Sequence, residues 1–206
     1  MKKLLLVFIF ILLCFILVGC NFNTINNNSI NNSLSNTNTN SHNLLYETEK
    51  LYIEPKDETV TSFSTNILDK TSGRQTNINI TCSILNETIV KSGETFSFCD
   101  TVGKATPERG YKEAKIFDTN GNVIMGYGGG NCQVSSTLYN AVLQDSNLEI
   151  IERHPHSHTV NYVEKDKDAA VACGSVDFKF KNNYNSDIKI FASTNGNQVT
   201  VSIVKI

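Results

Sequence analysis

The segment that most constrains this chain of 206 residues is 128–139, which reads Gly-Gly-Gly-Asn-Cys-Gln-Val-Ser-Ser-Thr-Leu-Tyr. Three successive glycines allow backbone angles closed to other residues and let the backbone approach a ligand closely. Residues 133–144 carry apolar side chains close to helical spacing, so we expect a helix that begins beside Cys132. The dipole and free N–H groups of a first helical turn stabilise a thiolate. The segment therefore predicts a nucleophilic cysteine suited to chemistry on an acyl group.

The N-terminus is typical of a targeting signal. Two lysines precede an apolar run over residues 4–18, which at 15 residues is shorter than the ~20 needed to span a bilayer. The run ends in Leu-Val-Gly-Cys, which is similar to the bacterial lipobox. We therefore expect a lipoprotein signal peptide over residues 1–19 and lipidation of Cys20, with an ordinary secretion signal as the alternative. A lipidated Cys20 would anchor the protein to the outer face of the cell membrane, facing the cell wall.

The rest of the chain divides into a tether and one domain. Eleven of the 23 residues at 21–43 are asparagine, and so polar a segment buries too little apolar surface to fold. We therefore expect a disordered tether over residues 20–44 and a single domain over residues 45–206. Removal of residues 1–19 takes away two lysines and leaves 16 basic against 20 acidic residues, a formal charge of −4. This balance argues against nucleic acid as a partner.

The pattern of the domain predicts an α+β fold, mostly antiparallel sheet with one central helix after the cysteine loop. Alternating apolar residues indicate strands near 59–65, 176–180, 187–192 and 198–206, and residues 111–126 are typical of a hairpin. Residues 74–85 fit an amphipathic strand or a helix equally well, and both stay open.

Three of the four histidines lie in one hexapeptide, residues 153–158, as His154, His156 and His158. A cysteine nucleophile needs an imidazole that accepts the thiol proton and passes it to a leaving amine. Asp168 or Asp177 is available to orient that imidazole. In an extended segment the three rings would share one face, which is also a zinc geometry. Pro155 interrupts such a strand, which weakens the zinc hypothesis, so we expect no metal and no cofactor and keep zinc as an alternative.

The other cysteines of the domain, Cys82, Cys99 and Cys173, lie among alternating apolar residues. Their spacing matches no small disulfide scaffold, so we interpret them as buried thiols rather than as disulfide partners.

Three blocks of the sequence resemble the VanW family of bacterial envelope proteins. They are residues 92–98 (Ser-Gly-Glu-Thr-Phe-Ser-Phe), residues 128–143 around the cysteine, and residues 152–157 (Glu-Arg-His-Pro-His-Ser). The cysteine block is the most specific of the three. Some members of the family act as L,D-transpeptidases, which make 3-3 crosslinks in peptidoglycan. The resemblance therefore implies that activity here, with peptidoglycan stem peptides as substrate.

The resemblance also implies roles for individual residues. Cys132 corresponds to the family cysteine, and His156 corresponds best to the family histidine, with His154 as the second choice. Arg153 corresponds to the family arginine and is a candidate to bind a stem carboxylate. Ser135 is a weaker substrate-binding candidate, because its place in the first helical turn also suits packing.

The loop around the cysteine is expected to stabilise the oxyanion of the reaction through backbone N–H groups. Its residues are Gly129, Gly130, Asn131 and Gln133. Two other functions remain open from the sequence: a non-catalytic module that binds the cell wall, and a zinc-dependent peptidoglycan amidase or peptidase.

Overall fold

The computed structural model describes residues 58–118 and 121–206. The predicted signal peptide, the lipidation site Cys20 and the predicted tether lie outside these residues.

The described residues form the predicted α+β fold, and every strand pairing in them is antiparallel. The strands are β1 (Glu58–Asn66), β2 (Thr88–Val90), β3 (Thr95–Ser97), β4 (Glu113–Phe117), β5 (Val123–Tyr127), β6 (Leu148–Glu152), β7 (Lys179–Asn182), β8 (Ile188–Thr194) and β9 (Gln198–Lys205). The helices are α1 (Ser72–Leu85), α2 (Phe98–Val102) and α3 (Asn131–Val142), with a short 3-10 helix at Pro107–Arg109.

The strands form a four-stranded sheet in the order β1-β9-β8-β2, a three-stranded sheet in the order β3-β7-β6, and the separate hairpin β4-β5. In the larger sheet, β1 pairs with β9 so that Phe63 lies opposite Val201. Alternate residues of β9 (Val199, Val201 and Ile203) are fully buried, as the period of two requires for the face that meets the core. Helix α3 packs against β1 and β9, and α1 packs against β8.

The ambiguous segment at 74–85 is helical. Its buried residues recur at helical spacing, as Asn77, Ile78, Thr81, Cys82 and Leu85. The alternation that suggested a strand arises because Ile80 and Ile84 lie half-buried on the flanks of this stripe. The structure thus selects the second of the two predicted alternatives.

Most of the predicted strands are present with small shifts. The hairpin over residues 111–126 is confirmed as β4 and β5, with Gly121 at φ 82° in the turn. The strand predicted at 176–180 begins later, at Lys179, because Val176 instead makes an isolated bridge to Ala172.

Candidate active site

Cys132 occupies the second position of α3, in the first turn. Every other residue of this helix is buried, whereas Cys132 is half-buried and lines a cleft of about 750 Å³. The helix belongs to the core even though many of its side chains are polar, because those side chains are hydrogen-bonded. The fold therefore exposes the sulfur while it fixes the backbone that carries it.

The glycines before Cys132 are required by close packing. A Cβ at Gly129 would lie 2.7 Å from the carbonyl oxygen of Lys115 in β4. Gly130 has φ 116°, and a Cβ there would lie 2.7 Å from Cγ1 of Ile78 in α1. The loop is thus held between β4 and α1, which sets the position at which α3 begins.

His156 is held beside this cysteine by Asp168. The ring Nδ1 and the backbone N–H of His156 both lie 2.6 Å from Oδ2 of Asp168. The His156 side chain is only 9% exposed, and it lines the same cleft as Cys132. With Nδ1–H bonded to the carboxylate, Nε2 is the nitrogen that can exchange a proton with the thiol.

The environment shifts the pKa values of His156 and Asp168. Burial lowers the pKa of His156, but the hydrogen bonds and charges of Cys132 and Asp168 outweigh burial and raise it overall. Burial raises the pKa of Asp168, but hydrogen bonds from the backbone and ring of His156 lower it overall. The hydrogen bonds and charges of the cluster therefore favour a charged imidazolium beside a charged carboxylate, and His156 and Cys132 line the same cleft.

The other two histidines of the hexapeptide line the same cleft but have different partners. His154 Nε2 lies 3.0 Å from Oε1 of Glu152, and the His158 ring stacks against Phe117. β6 ends at Glu152, so the three histidines do not lie on one continuous strand, in line with the interruption expected from Pro155. In the described part of the chain, no three His, Cys, Asp or Glu side chains are grouped so as to hold a metal ion. The zinc alternative therefore lacks a ligand set there.

Comparison with known proteins shows the family of the chain. The family model described as VanW like protein matches residues 73–204, which is more than half of the chain. The chain belongs to the VanW family. The resemblance seen in the sequence blocks is thus confirmed.

Two relatives illustrate the similarity. The chain is 41% identical over 130 residues to the uncharacterized protein YoaR of Bacillus subtilis (strain 168), which covers 63% of this chain and 42% of YoaR. It is 29% identical over 132 residues to the vancomycin B-type resistance protein VanW of Enterococcus faecalis (strain ATCC 700802 / V583), which covers 60% of this chain and 46% of that protein. The match spans less than half the length of either relative. No solved structure matches this chain significantly.

The N–H groups of the VanW cysteine loop are not equally available. The N–H of Asn131 donates to the carbonyl of Gly128, and the N–H of Gln133 donates to the carbonyl of Gly130. Among the described residues, the N–H of Cys132 has no acceptor. The N–H groups of Gly129 and Gly130 also have no acceptor among the described residues, so the loop can offer these two amides and that of Cys132 to an oxyanion, but not those of Asn131 and Gln133.

Two predicted site residues support the loop from behind. The Gln133 side chain is 1% exposed and donates to Thr65 Oγ1 and the Asn66 carbonyl, both at 3.0 Å. The Ser135 side chain is fully buried and donates to the carbonyl of Ala169 at 2.5 Å. Ser135 thus fixes the chain behind Cys132 and does not line the cleft.

Arg153 is also engaged within the protein. Its Nη2 donates to Oδ1 of Asp168 at 2.7 Å, and its Nε donates to the Asp168 carbonyl at 2.6 Å. Its guanidinium stacks 5.4 Å from the Tyr139 ring centroid. These contacts hold the carboxylate of Asp168 in place, and Arg153 does not line the cleft, so the geometry favours a structural role for Arg153 over the predicted carboxylate binding.

Sequence reasoning missed two residues of the cleft. Arg74 and Tyr162 both line it, although they are distant in sequence from the cysteine block. Burial, together with the charge that a Cys132 thiolate would add, raises the pKa of Tyr162, so its hydroxyl stays protonated. No local pattern marks either residue, because α1 and the segment after His158 meet the cysteine only in the folded chain.

The interpretation of all three remaining cysteines as buried thiols is wrong for two of them. Cys99 and Cys173 form a disulfide across 74 residues of sequence, whereas Cys82 is free and buried. The pairing depends on α2 lying against the segment around residue 173, which the sequence pattern does not reveal. Cys173 lines the cleft, and two residues earlier the carbonyl of Val171 accepts a hydrogen bond from Cys132 Sγ at 3.5 Å. The disulfide thus ties down one wall of the site.

None of the helices within residues 58–118 and 121–206 has the length and apolar character needed to cross a membrane.

Proposed function

We propose that this VanW domain is a cysteine-dependent L,D-transpeptidase that forms 3-3 crosslinks between peptidoglycan stem peptides. The observation that carries the proposal is that Cys132 and His156 line one open cleft, with the His156 ring bonded to Asp168. A half-buried thiol, a base in its reach and a carboxylate that orients the base are the three parts that nucleophilic acyl transfer requires.

In the first half of the reaction, His156 Nε2 takes the proton of Cys132, and the sulfur attacks the carbonyl carbon before the terminal D-Ala of a tetrapeptide. The S–C bond forms and the amide C–N bond breaks. The imidazolium returns its proton to the departing amine of D-Ala. The backbone N–H of Cys132 stabilises the oxyanion, and loss of one such donor costs on the order of 10²- to 10³-fold in rate.

In the second half, the side-chain amine of diaminopimelate on a neighbouring stem attacks the thioester carbonyl. A C–N bond forms, the S–C bond breaks, and His156 takes the proton that the amine loses. Transfer of that proton from the His156 imidazolium to the departing sulfur restores the thiol and the imidazole. With water in place of the amine the same residues would act as a carboxypeptidase.

The setting of this reaction is part of the proposal. Lipidation at Cys20 would hold the domain on the outer face of the membrane, and residues 20–44 would act as the tether toward the wall. The family resemblance implies peptidoglycan, and the Enterococcus faecalis relative bears the name of a vancomycin resistance protein.

The test is mass spectrometry of muropeptides after purified protein is mixed with disaccharide-tetrapeptide. We expect a 3-3 linked dimer and free D-Ala, both lost in Cys132→Ala. The matched control is Cys82→Ala. Cys82 is the other free cysteine of the described residues and lies on the buried face of α1, so its replacement should leave the product unchanged.

Release of D-Ala without a dimer would identify a carboxypeptidase instead. A folded protein that binds the muropeptide but gives no product would support the non-catalytic wall-binding module.

A further inference from the structure

We propose that Arg74 binds the terminal carboxylate of the donor stem peptide, an inference that rests on the proposed transpeptidase function. The family resemblance suggested Arg153 for this role, but the Arg153 guanidinium is bonded to Asp168 and does not line the cleft. Arg74 is the arginine that lines the cleft.

The guanidinium of Arg74 is only partly satisfied by the protein. Its Nη2 donates to Gln133 Oε1 at 2.8 Å, whereas its Nε is buried and has no acceptor in the described residues. Nη1 likewise has no acceptor among the described residues and is not buried, so it is the donor that a ligand can reach. A carboxylate offers two oxygens in the geometry of the guanidinium fork.

No carboxylate of the described residues lies within 4.0 Å of Arg74. The acidic residue whose pKa it helps to lower, Asp69, instead accepts a hydrogen bond from the backbone N–H of Thr71. Arg74 also lies in the first turn of α1, which contains no acidic residue, so the helix dipole adds to its positive field. The cation is thus left for an external anion.

Arg74 and the nucleophile occupy the same end of the cleft. Gln133, which bonds Arg74, directly follows Cys132 in α3. The first turns of α1 and α3 meet at Gly130, where a Cβ would lie 3.4 Å from the Arg74 carbonyl oxygen. The phenol of Tyr162 experiences the charges of both Cys132 and Arg74.

Arg74 is a more specific carboxylate ligand than the other cations that line the cleft. Lys104 and Lys115 also line it, but both are exposed and act as general positive charge, with Asp118 as the one acidic lining residue described. A partly buried arginine held by Gln133 imposes a position, which a mobile lysine does not. Because the bond that breaks precedes the terminal residue, an arginine beside Cys132 would place that residue as the leaving group.

The experiment measures binding in the Cys132→Ala protein, so that no turnover occurs. Calorimetric titrations compare disaccharide-tetrapeptide ending in a free carboxylate with the same molecule ending in a carboxamide. We expect the carboxylate form to bind roughly 10- to 100-fold more tightly, the range for a charged hydrogen-bonded pair. In Arg74→Gln the two forms should bind alike, and in Arg74→Lys the preference should be intermediate.

The control variant is Lys70→Gln, which removes an exposed cation bonded to Asn197, outside the cleft. It should keep the full preference for the carboxylate. The carboxamide comparison leaves the protein unaltered, so it holds even where Arg74→Gln loses stability. Equal binding of the two forms by the parent, or an unchanged preference in Arg74→Gln, overturns the inference.

Turnover by protein with Cys132 intact separates this inference from the proposed function. A 3-3 product with an undiminished carboxylate preference in Arg74→Gln overturns the role of Arg74 alone. Binding that prefers the carboxylate through Arg74, without any product, overturns the transpeptidase and retains the carboxylate site.

Discussion

One carboxylate oxygen of Asp168, Oδ2, accepts hydrogen bonds from both the backbone N–H and the ring Nδ1 of His156, each 2.6 Å long. The other oxygen accepts from Nη2 of Arg153 at 2.7 Å. This arrangement fixes the carboxylate from one side and the imidazole from the other. It leaves Nε2 of His156 for the thiol of Cys132, which is the orientation that a general base in cysteine catalysis requires.

Replacement of Asp168 by Asn should reduce the rate of acyl transfer far more than it reduces substrate binding. The amide lacks the charge that stabilises the imidazolium, and it can bond the wrong tautomer of His156. We expect kcat to fall on the order of 10²- to 10⁴-fold, with a small change in KM. Steady-state release of D-Ala measures both constants.

Asp177→Asn is the matched control for that variant. Asp177 is about as buried as Asp168, but it accepts from Ser97 Oγ and the Cys99 N–H, away from the imidazole. It should lower the thermal midpoint and leave kcat within a few-fold of the parent. Equal losses of kcat in the two variants would contradict the assignment of Asp168.

The stability of the domain should depend on pH through His156 and Asp168. The pKa of His156 is raised above 6.5, so its stabilisation is fully present below pH 6.5 and is lost as pH rises through the folded-state pKa. The pKa of Asp168 is lowered below 3.8, so its stabilisation is present above pH 3.8 and is lost as pH falls through the folded-state pKa. The two contributions are therefore both present in full between pH 3.8 and pH 6.5.

Thermal midpoints of the parent and of His156→Gln, measured from pH 5 to pH 9, test this dependence. The parent should exceed the variant most at pH 5, and the difference should shrink as the pH rises. A difference in thermal midpoint that grows as the pH rises would contradict the predicted sign of the His156 contribution.

The two free cysteines of the described residues should differ sharply in reactivity. Burial in the core raises the pKa of the Cys82 thiol to about 12, whereas Cys132 is half-buried in a first helical turn beside His156. Because the thiolate is the reactive form, iodoacetamide at neutral pH should modify Cys132 and spare Cys82 until the protein unfolds. Peptide mapping gives the result, and modification of both at equal rates would contradict it.

Removal of the Cys99–Cys173 disulfide should destabilise the fold and loosen the wall of the cleft. The bridge closes a loop of 74 residues, and loss of such a bridge costs about 2–5 kcal/mol. Cys99→Ser with Cys173→Ser should show this loss in urea denaturation. An ordinary surface change alters the free energy of unfolding by about 0.5 kcal/mol. A double variant whose free energy of unfolding lies within about that margin of the parent would contradict the prediction.

Gly130→Ala should displace the cysteine loop, because its Cβ would lie 2.7 Å from Ile78 Cγ1 in addition to the unfavourable φ of 116°. Gly93→Ala is the control for the backbone term alone, since φ there is 76° and no atom lies within 4 Å of its Cβ. The backbone term is worth about 1–3 kcal/mol. Urea denaturation should show a larger loss of unfolding free energy for Gly130→Ala than for Gly93→Ala. Of the two variants, only Gly130→Ala should also slow acyl transfer.

The features that the sequence predicted are the local ones. Residues 128–139 indicated both the start of a helix and the unusual exposure of Cys132, because glycine freedom and helical spacing are read from neighbouring residues. The alternation in residues 74–85 stayed ambiguous, because side chains such as Ile80 and Ile84 suit either a strand or the flank of a helical stripe. Only packing against β8 decides between them.

The features that the sequence did not predict depend on contacts between distant segments. The Cys99–Cys173 pairing, the engagement of Arg153 with Asp168 and the entry of Arg74 into the cleft each join residues from separate elements. The choice between Asp168 and Asp177 beside His156 was likewise a question of tertiary contact.

Intact-protein mass spectrometry after rapid mixing with disaccharide-tetrapeptide, without an acceptor amine, tests the central claim most directly. The account predicts a covalent adduct equal to the donor minus D-Ala, mapped to Cys132, absent in Cys132→Ala and much slower to form in His156→Gln. An adduct on another residue, or turnover that proceeds unchanged in Cys132→Ala, would contradict it.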